Sequence, residues 1–389
     1  MEKLYEYMHQ QLRNTPYSFH RYLYDDIKWN NQMLGLVGPR GVGKTTLFLQ
    51  RIKEMPDPSN ALYVSADHLY FADHSLFDVA DRFCKNGGKY LFIDEVHKYP
   101  RWSRELKMMF DALSDLHVYF TGSSVLDIER GEADLSRRAP KYMMQGLSFR
   151  EYLAIRYGIS TQCFGLNEIV DNQATIPGVD HPLPLFNEYL RRGYYPFGDD
   201  ADFDIELGQV ITRTLEVDIP QYASMTSATG RKLKKLMAVV SRLAPFKPNM
   251  VSLGSQIGVS RNNVEDYLLY MEKAGMIMQL RTGAHGLGSL GKAEKVYLDN
   301  TNILFNLGRS EGDRGNARET FFFNQMRVNN AVTSSPHSDF EIAGLTFEVG
   351  GKNKGKDQLK GADRGYVVKD GIEFGHGNVI PLWAFGLNY

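Results

Sequence analysis

A glycine-rich loop that ends in lysine and threonine is the first part of the sequence able to do chemistry. Gly38, Gly43, Lys44 and Thr45 have the spacing G-x-x-x-x-G-K-[ST]. Small residues let backbone N–H groups point at phosphate oxygens, while Lys44 reaches the β- and γ-phosphates and the Thr45 hydroxyl ligates Mg²⁺. The pattern predicts a nucleoside triphosphate site, and the alternative is a glycine-rich turn without a ligand. The residues expected at the nucleotide are Gly38, Pro39, Arg40, Gly41, Val42, Gly43, Lys44, Thr45 and Thr46.

Two carboxylates follow an apolar run at residues 90–93. Asp94 is expected to hold the Mg²⁺ shell, and Glu95, one residue further on, to act as the base that polarises the attacking water. Ligands bind at the carboxyl edge of an open α/β sheet, which is where these two acids would lie. The alternative is a solvated turn that happens to carry two acids.

Hydroxyl groups follow another apolar run, at residues 117–120. In some ATPase sheets an extra strand lies between the strand that leads into the P-loop and the strand that ends at the Mg²⁺-binding acid. If residues 117–120 form that strand, Ser123 or Ser124 would lie beside the γ-phosphate and either sense it or position water. The two hydroxyls could equally be helix caps. The guanine-reading pattern N-K-x-D is absent, since the segment at 353–356 lacks its Asp. ATP is therefore the expected nucleotide.

Apolar β-type runs that alternate with helical stretches would position these groups. This alternation predicts a parallel sheet covered by helices, that is, an α/β P-loop domain of the AAA+ type. A short amphipathic helix over residues 2–13 precedes it, and Ser148 with Glu151 forms a capping box that begins another helix. The runs lie at residues 33–37, 61–64, 90–93, 117–120 and, more weakly, 142–144.

Four motifs together are more specific than the P-loop alone. They are Gly38-Pro39-Arg40-Gly41-Val42-Gly43-Lys44-Thr45-Thr46, Ile93-Asp94-Glu95-Val96-His97-Lys98 with Trp102 after it, Thr121-Gly122-Ser123-Ser124, and Asp134-Leu135-Ser136-Arg137-Arg138 followed by Leu147-Ser148-Phe149-Arg150-Glu151-Tyr152. Through them the chain resembles, over nearly its whole length, the AAA+ superfamily ATPases of bacteria and archaea with a C-terminal winged-helix and nuclease-like region. The resemblance implies that Arg137 or Arg138 faces the nucleotide as an arginine finger or sensor, within one subunit or across a homo-oligomer. A surface basic pair is the alternative.

Residues 251–280 have the pattern of a helix-turn-helix. Ser260 would cap a second helix whose apolar face carries Val264, Tyr267, Leu268 and Met271. Its outward face mixes basic and amide side chains with acids that would repel phosphates, so DNA binding and an architectural winged helix both remain open. The outward residues are Arg261, Asn262, Asn263, Glu265, Asp266 and Glu272.

In the tail, the resemblance places Glu319, Asp339 and Glu348 as the acids of a PD-(D/E)XK nuclease, a fold that gathers carboxylates around Mg²⁺. The last motif departs from the pattern, because Gly350 stands where Glu-x-Lys requires lysine and the nearest candidate is Lys352. We therefore expect a nuclease fold with lost or weak cleavage that serves as a docking surface. The lysines at 352, 354, 356 and 360 could bind a phosphate backbone or simply solubilise a turn.

Length and charge set the outer limits. A chain of 389 residues is longer than a single hydrophobic core usually supports, so two or three domains are expected. The 45 Lys plus Arg residues nearly balance the 46 Asp plus Glu residues, so no overall charge attracts the protein to nucleic acid or to an anionic membrane. Two cysteines and no apolar leader indicate a cytoplasmic setting without membrane contact. The predicted domains are a P-loop ATPase at 1–157, a polar linker at 158–184, a helical and winged-helix domain at 185–285 and the nuclease-like domain at 286–389.

These expectations combine into Mg²⁺-dependent ATP binding and hydrolysis that drives or gates a domain rearrangement, with DNA or a protein as candidate partner. Two alternatives remain; the first uses the same nucleotide site, and the second is favoured by the intact acids of the tail and disfavoured by the missing Glu-x-Lys lysine. One is an ATP-dependent signalling switch or docking protein with little turnover, and the other is a DNA endonuclease with a regulatory ATPase. Turnover measured with and without DNA or a protein partner separates them.

Overall fold

The computed structural model describes residues 1–122, 135, 137–222, 225–283, 293–308, 314–355, 359 and 361–389. They divide into two compact units, Met1–Gly146 and Leu147–Tyr389. Of the helices in these ranges, none combines the length and the apolar character needed to cross a bilayer. The finer division into four parts stays a prediction.

A parallel sheet is the centre of the first unit, as the alternation of apolar runs predicts. In the described ranges its strands have the order β2-β3-β4-β1-β5, with every neighbouring pair parallel. The strand β4 lies between β1 and β3, which is the extra strand that the sequence predicts, and the α/β P-loop fold is confirmed. The strands are β1 (Met33–Val37), β2 (Ala61–Ser65), β3 (Tyr90–Asp94), β4 (His117–Thr121) and β5 (Lys141–Met143).

Helices cover this sheet through apolar stripes. In α4, Leu76, Val79, Ala80 and Phe83 recur at helical spacing and are all buried, and the Ser75 hydroxyl caps the helix. All five residues of β1 are buried, as expected for a strand covered on both faces. The helices of the first unit are α1 (Glu2–Asn14), α2 (Leu23–Asp26), α3 (Lys44–Lys53), α4 (Leu76–Lys85) and α5 (Trp102–Ala112), with 3₁₀ turns at Pro58–Asn60, Leu69–Ala72 and Val96–Lys98.

The second unit begins with helices. Its first helix has the predicted capping box: the Glu151 backbone N–H donates to the Ser148 hydroxyl at 3.1 Å, and the Ser148 N–H donates to the Glu151 carboxylate at 3.1 Å. Two of the helices continue into π-helical turns, at Tyr189–Gly193 and Thr214–Asp218. The helices are α6 (Phe149–Tyr157), α7 (Leu166–Val170), α8 (Leu183–Glu188), α9 (Phe203–Arg213), α10 (Ile219–Tyr222), α11 (Ser227–Leu243), α12 (Met250–Ile257), α13 (Arg261–Lys273), α14 (Thr301–Leu307) and α15 (Arg314–Met326).

The helix-turn-helix pattern corresponds to α12 and α13. Gly258 turns the chain between them with φ of 71°, and the Ser260 hydroxyl accepts the Asn263 N–H at 3.3 Å, as its position as N-cap predicts. The expected apolar face of α13 is buried. An antiparallel pair, β6 (Ile277–Arg281) and β7 (Ala293–Leu298), follows this helix.

A mixed sheet forms the tail, with the order β12-β11-β10-β9-β8 among the described strands. The strands β10, β11 and β12 are parallel, and β9 is antiparallel to both its neighbours. Helix α15 packs on the sheet through Phe322, whose ring lies 5.0 Å from Phe340 and 5.4 Å from Phe347. Ile169 and Val170, from the segment predicted to be a linker, are buried in the same core. The strands are β8 (Val332–Ser334), β9 (Phe340–Ile342), β10 (Leu345–Gly350), β11 (Gly365–Lys369) and β12 (Val379–Pro381).

Candidate nucleotide site

The loop between β1 and α3 has a shape that demands glycine. A Cβ atom on Gly38 would lie 2.1 Å from the Met144 carbonyl oxygen, and Gly43 adopts φ of 98° at the start of the helix. Helix α3 begins at Lys44, so the loop leads directly into a helix N-terminus. A helix N-terminus with its unpaired N–H groups is a binding site for anions such as phosphate.

Lys44 lies folded across this loop. Its ammonium donates hydrogen bonds to the carbonyl oxygens of Gly38, at 2.9 Å, and Pro39, at 2.7 Å, and its side chain is buried. The positive charge is therefore held inside the loop predicted to bind phosphate.

Arg21, a buried residue that the sequence motifs did not identify, stabilises the P-loop through hydrogen bonds to backbone carbonyl oxygens. The Arg21 guanidinium donates to the Val42 carbonyl at 2.5 Å and to the carbonyls of Gln145 and Gly146 at 2.8 and 2.9 Å. It thereby joins the P-loop backbone to the residues that follow β5. No motif surrounds Arg21, so only the folded chain reveals this contact.

Asp94, at the carboxyl end of β3, accepts several hydrogen bonds. The Thr45 hydroxyl donates to Asp94 Oδ2 at 2.6 Å and the Tyr63 hydroxyl donates to the same oxygen at 2.8 Å. The Thr121 hydroxyl and the Glu95 N–H donate to Oδ1. Thr45 and Asp94, the two predicted Mg²⁺ ligands, are thus brought together, and a hydroxyl with a carboxylate is a donor set that suits this ion.

Tyr63 is a further residue that sequence patterns missed. It lies on β2, and burial, followed by the negative charge of Asp94, raises the pKa of its phenol, so the hydroxyl stays protonated and donates to Asp94. The ring of Tyr7, on α1, stacks on Tyr63 with ring centroids 6.1 Å apart. The pattern of β2 alone could not show this, because the contact depends on β2 being the neighbour of β3.

Glu95 lies directly beyond Asp94 with a left-handed backbone, at φ of 47°. Burial, and then the charge of Asp94, raises the pKa of its carboxyl, while Arg40 opposes that rise. Arg40 Nη2 lies 3.5 Å from Glu95 Oε1. The predicted base therefore reaches the phosphate-binding loop itself.

His97 lies in the turn after Glu95 and is buried. Burial, with the positive charges of Lys98, Lys44 and Arg40, lowers the pKa of its imidazole to about 3. The ring is therefore neutral at physiological pH and adds no charge to the site.

Of the remaining predicted catalytic residues, the structure brings none that it describes into this cluster. Ser123 and Ser124 lie outside the described residues. Arg137 is exposed, whereas Arg138 Nε lies 3.1 Å from Asp111 Oδ1, with its guanidinium over the Phe110 ring at 5.7 Å. This placement agrees with the surface-pair alternative for Arg138, and the arginine-finger assignment stays a prediction.

In the tail, two of the predicted nuclease acids meet at one lysine. Lys295 Nζ, from β7, lies 3.2 Å from Glu319 Oε2 and 3.1 Å from Asp339 Oδ1, and the Tyr297 hydroxyl donates to Glu319 at 2.8 Å. Burial, and then the charge of Asp339, raises the pKa of Glu319. Burial alone would lower the pKa of Lys295, but the charges of Glu319 and Asp339 together raise it above its ordinary value.

The third acid, Glu348 on β10, pairs with Lys354 and accepts a hydrogen bond from the Ser338 hydroxyl. A Cβ atom on Gly350 would lie 2.5 Å from Lys354 Cγ, so the lysine side chain crosses over that glycine. The structure thus places Lys354, rather than Lys352, at Glu348. In the parts of the chain that the structure describes, no three Asp, Glu, His or Cys residues are grouped so that they could hold a metal ion.

The outward face of α13 also carries internal ion pairs. Arg261 Nε lies 3.0 Å from Glu265 Oε1, one helical turn away, and Glu272 pairs with Arg281 of β6 at 2.5 Å. The basic charge at the start of this helix is therefore already matched by an acid.

Comparison with known proteins adds a family match. A family model described as an AAA domain matches residues 30–153, and one described as a domain of unknown function, DUF8612, matches residues 183–312. No curated protein matches the sequence.

Several solved structures are similar at low identity. The Walker-type ATPase of Pyrococcus abyssi is 15% identical with a TM-score of 0.43, and the alignment covers 76% of this chain and 99% of that one. The RuvB protein of Thermotoga maritima is 13% identical with a TM-score of 0.30, covering 72% and 89%. AMPPCP-bound DnaA from Aquifex aeolicus is 12% identical with a TM-score of 0.25, covering 70% and 87%.

The fold of the first unit is defined by the chain's own sheet and by the family match. The strand order β2-β3-β4-β1-β5, with the P-loop after β1 and two acids at the end of β3, coincides with the matched segment. The first unit therefore has the P-loop NTPase fold, and residues 30–153 are similar to the AAA domain.

Proposed function

We propose that the chain is a Mg²⁺-dependent ATPase whose turnover drives or gates a domain rearrangement. One observation carries the proposal. The Thr45 hydroxyl and the Asp94 carboxylate lie 2.6 Å apart, beside a loop in which the Lys44 charge is buried. These are the groups that a metal-bound triphosphate requires.

Each residue then has a role in the reaction. Lys44 and the backbone N–H groups of the loop bind the β- and γ-phosphates, while Thr45 and Asp94 hold the Mg²⁺ ion. When bound, the ion neutralises charge on the phosphate oxygens. Glu95 polarises the attacking water and accepts its proton.

Phosphate release from the purified full chain tests this proposal. Turnover is measured with ATP and GTP, with Mg²⁺ or with EDTA, and with or without duplex and single-stranded DNA. The proposal requires turnover that needs Mg²⁺ and prefers ATP. Failure to bind or hydrolyse either nucleotide in Mg²⁺ would refute it, whereas binding with very slow turnover would favour the switch alternative.

For the middle of the chain we propose an architectural winged helix. The helix pair α12 and α13 with the antiparallel pair that follows supports this assignment. The pairing of Arg261 with Glu265 weighs against DNA recognition by α13, because phosphate binding needs unmatched positive charge. Loss of salt-dependent DNA binding on Arg261→Ala would restore the DNA-reading interpretation.

For the tail we propose a nuclease-like fold that serves as a docking surface for DNA or a protein. Lys295 supplies the charge opposite Glu319 and Asp339, and Lys354 supplies it opposite Glu348. As arranged, these carboxylates do not fit a shared metal ion. A homo-oligomer, in which an arginine finger acts across subunits, belongs to the same proposal and is tested by light scattering with and without ATP.

A further inference from the structure

The backbone of Glu95 is held on both sides by hydrogen bonds. Its N–H lies 3.1 Å from Asp94 Oδ1 and 3.1 Å from the Thr121 hydroxyl, and its carbonyl accepts the Lys98 N–H at 2.9 Å. The residue also occupies the left-handed region, with φ of 47° and ψ of 42°, which non-glycine residues rarely adopt. With the backbone fixed, the direction of the Glu95 carboxylate depends on the side-chain torsion angles and on the groups that contact the carboxylate.

Charges of both signs act on that carboxylate. Asp94 and Asp67 repel it, whereas Arg40 and Lys98 attract it. Arg40 is the one of these that belongs to the P-loop, and its Nη2 lies 3.5 Å from Glu95 Oε1. The Glu95 carboxylate is therefore within ion-pair distance of the loop predicted to bind the γ-phosphate.

The pair is shielded enough for this attraction to matter. The side chains of Arg40 and Glu95 are 20% and 25% exposed. Salt screens partly buried pairs much less than exposed ones. Arg40 also occupies one of the variable positions of the G-x-x-x-x-G-K-[ST] pattern, so binding of phosphate by the loop does not itself require arginine there.

We propose that Arg40 is a positioning residue for Glu95, which aims the carboxylate of the base over the phosphate-binding loop. This inference depends on the proposed function, because it assigns Arg40 a part in the same hydrolysis. Arg40 acts through Glu95, so its removal lowers the rate of the chemical step and leaves the affinity for ATP nearly unchanged. A guanidinium that instead bound a phosphate oxygen would mainly affect affinity.

A double-mutant cycle separates these two roles. Arg40→Met, Arg40→Lys and Arg40→Gln are made in the full-length protein, each in the wild-type and the Glu95→Gln background. Single-turnover rates with enzyme in excess, KM for MgATP and Tm are measured for every variant. Arg156→Met is the matched control, since Arg156 pairs with Asp199 at 2.6 Å on a half-exposed surface of the second unit.

Arg40→Met is expected to lower the single-turnover rate about tenfold, since a base misplaced by about 1 Å loses up to ~10²-fold in rate. We expect KM to change less than about twofold and Arg40→Lys to recover part of the rate, because it keeps the charge. In the Glu95→Gln background, Arg40→Met should change the rate by less than about twofold, since the group through which it acts is gone. Arg156→Met should match wild type.

Equal losses from Arg40→Met in both backgrounds, or a higher KM with an unchanged rate, would overturn the inference and make Arg40 a phosphate ligand. If Arg40→Met fails to fold, Arg40→Gln supplies the cycle. If the wild-type chain neither binds nor hydrolyses ATP in Mg²⁺, both this inference and the proposed function are refuted. If turnover falls on Glu95→Gln but is unchanged by Arg40→Met, this inference alone is refuted.

Discussion

The Thr45 hydroxyl donates to Asp94 Oδ2, and that hydrogen bond has to be given up if both groups are to hold Mg²⁺. Asp94 does not become free when this happens, because the hydroxyls of Tyr63 and Thr121 still donate to its two oxygens. A carboxylate that is fixed before the metal arrives loses less freedom on binding it. Asp94, which we propose as a Mg²⁺ ligand, is therefore held in place from β2 and β4, the two neighbours of β3.

Lys44→Ala is expected to abolish ATP binding or reduce hydrolysis below detection. The substitution removes the cation that lies inside the P-loop and that reaches the β- and γ-phosphates. Binding of a fluorescent ATP analogue and phosphate release are the measurements. Unchanged turnover in this variant would contradict the assignment of the loop.

Glu95→Gln is expected to keep ATP binding and to slow hydrolysis so far that ATP is retained through desalting, with a residual rate that single-turnover measurements over long incubation detect. The amide keeps the shape of the side chain but cannot accept a proton, and general bases contribute about 10²- to 10⁴-fold in rate. Nucleotide retained after rapid desalting, analysed as ATP or ADP, is the measurement. Normal hydrolysis by this variant would show that another group activates the water.

Tyr63→Phe is expected to raise the Mg²⁺ concentration for half-maximal turnover by roughly 10-fold or more. The change removes a hydroxyl that donates to Asp94 Oδ2 at 2.8 Å, and loss of such outer partners weakens metal binding by about 10- to 100-fold. Mg²⁺ titrations at saturating ATP are the measurement. The control is Tyr119→Phe, which removes the hydroxyl of a β4 residue that donates to the Trp29 carbonyl. An equal effect in both variants would show that Tyr63 contributes only packing.

The residues of a local pattern could be found from the sequence, and residues that meet only in the folded chain could not. Thr45 and Asp94 lie 49 positions apart, yet each ends or begins a recognisable element, so their meeting followed from the motifs. Tyr63 and Arg21 have no such signal. Their roles depend on which strand neighbours β3 and on where the chain after β5 passes the P-loop.

Among the elements, the strands of the first unit were readable because parallel strands buried on both faces are continuous apolar runs. The sequence interval 33–37 corresponds to β1 (Met33–Val37), the runs for β2, β3 and β4 each end one residue before their strand does, and the weak run at 142–144 is shifted by one residue from β5 (Lys141–Met143). The tail was less readable. Its strands β8, β9 and β12 contain three residues each, too few to show a period. The turn after β10 likewise decides that Lys354 reaches Glu348, which spacing alone could not reveal.

Gly38→Ala is expected to destabilise the first unit by about 2 kcal/mol or more and to impair nucleotide binding. The new Cβ would lie 2.1 Å from the Met144 carbonyl oxygen, and a backbone clash of this kind requires the loop to move. Gly315→Ala is the matched control, because it lies in helix α15 with open space around it, where alanine favours the helix. The measurements are the Tm of each variant and its affinity for ATP. Equal Tm and equal affinity in the two variants would contradict the prediction.

At the scale of the whole molecule, the two units contain charged clusters of different kinds. In the first unit the cation Lys44 hydrogen-bonds carbonyl oxygens inside the P-loop, an arrangement that an anionic ligand can enter. In the second unit the cations Lys295 and Lys354 already face carboxylates. A site in which each acid has a protein cation resists a metal ion, because binding has to break the existing pairs first. Nucleotide chemistry is therefore assigned to the first unit.

The tail is expected to leave DNA uncut. Positioning a metal ion is only part of phosphodiester cleavage, since a cation must also meet the charge that develops on the phosphate. Lys354 crosses Gly350 to reach Glu348 and is engaged in that ion pair, while Lys295 is engaged by Glu319 and Asp339. Supercoiled plasmid and linear DNA are incubated with the purified chain in Mg²⁺ or Mn²⁺, with and without ATP, beside Glu348→Ala. Robust cutting that Glu348→Ala loses would mean that the ion pairs open for metal, and it would make the chain an endonuclease with a regulatory ATPase.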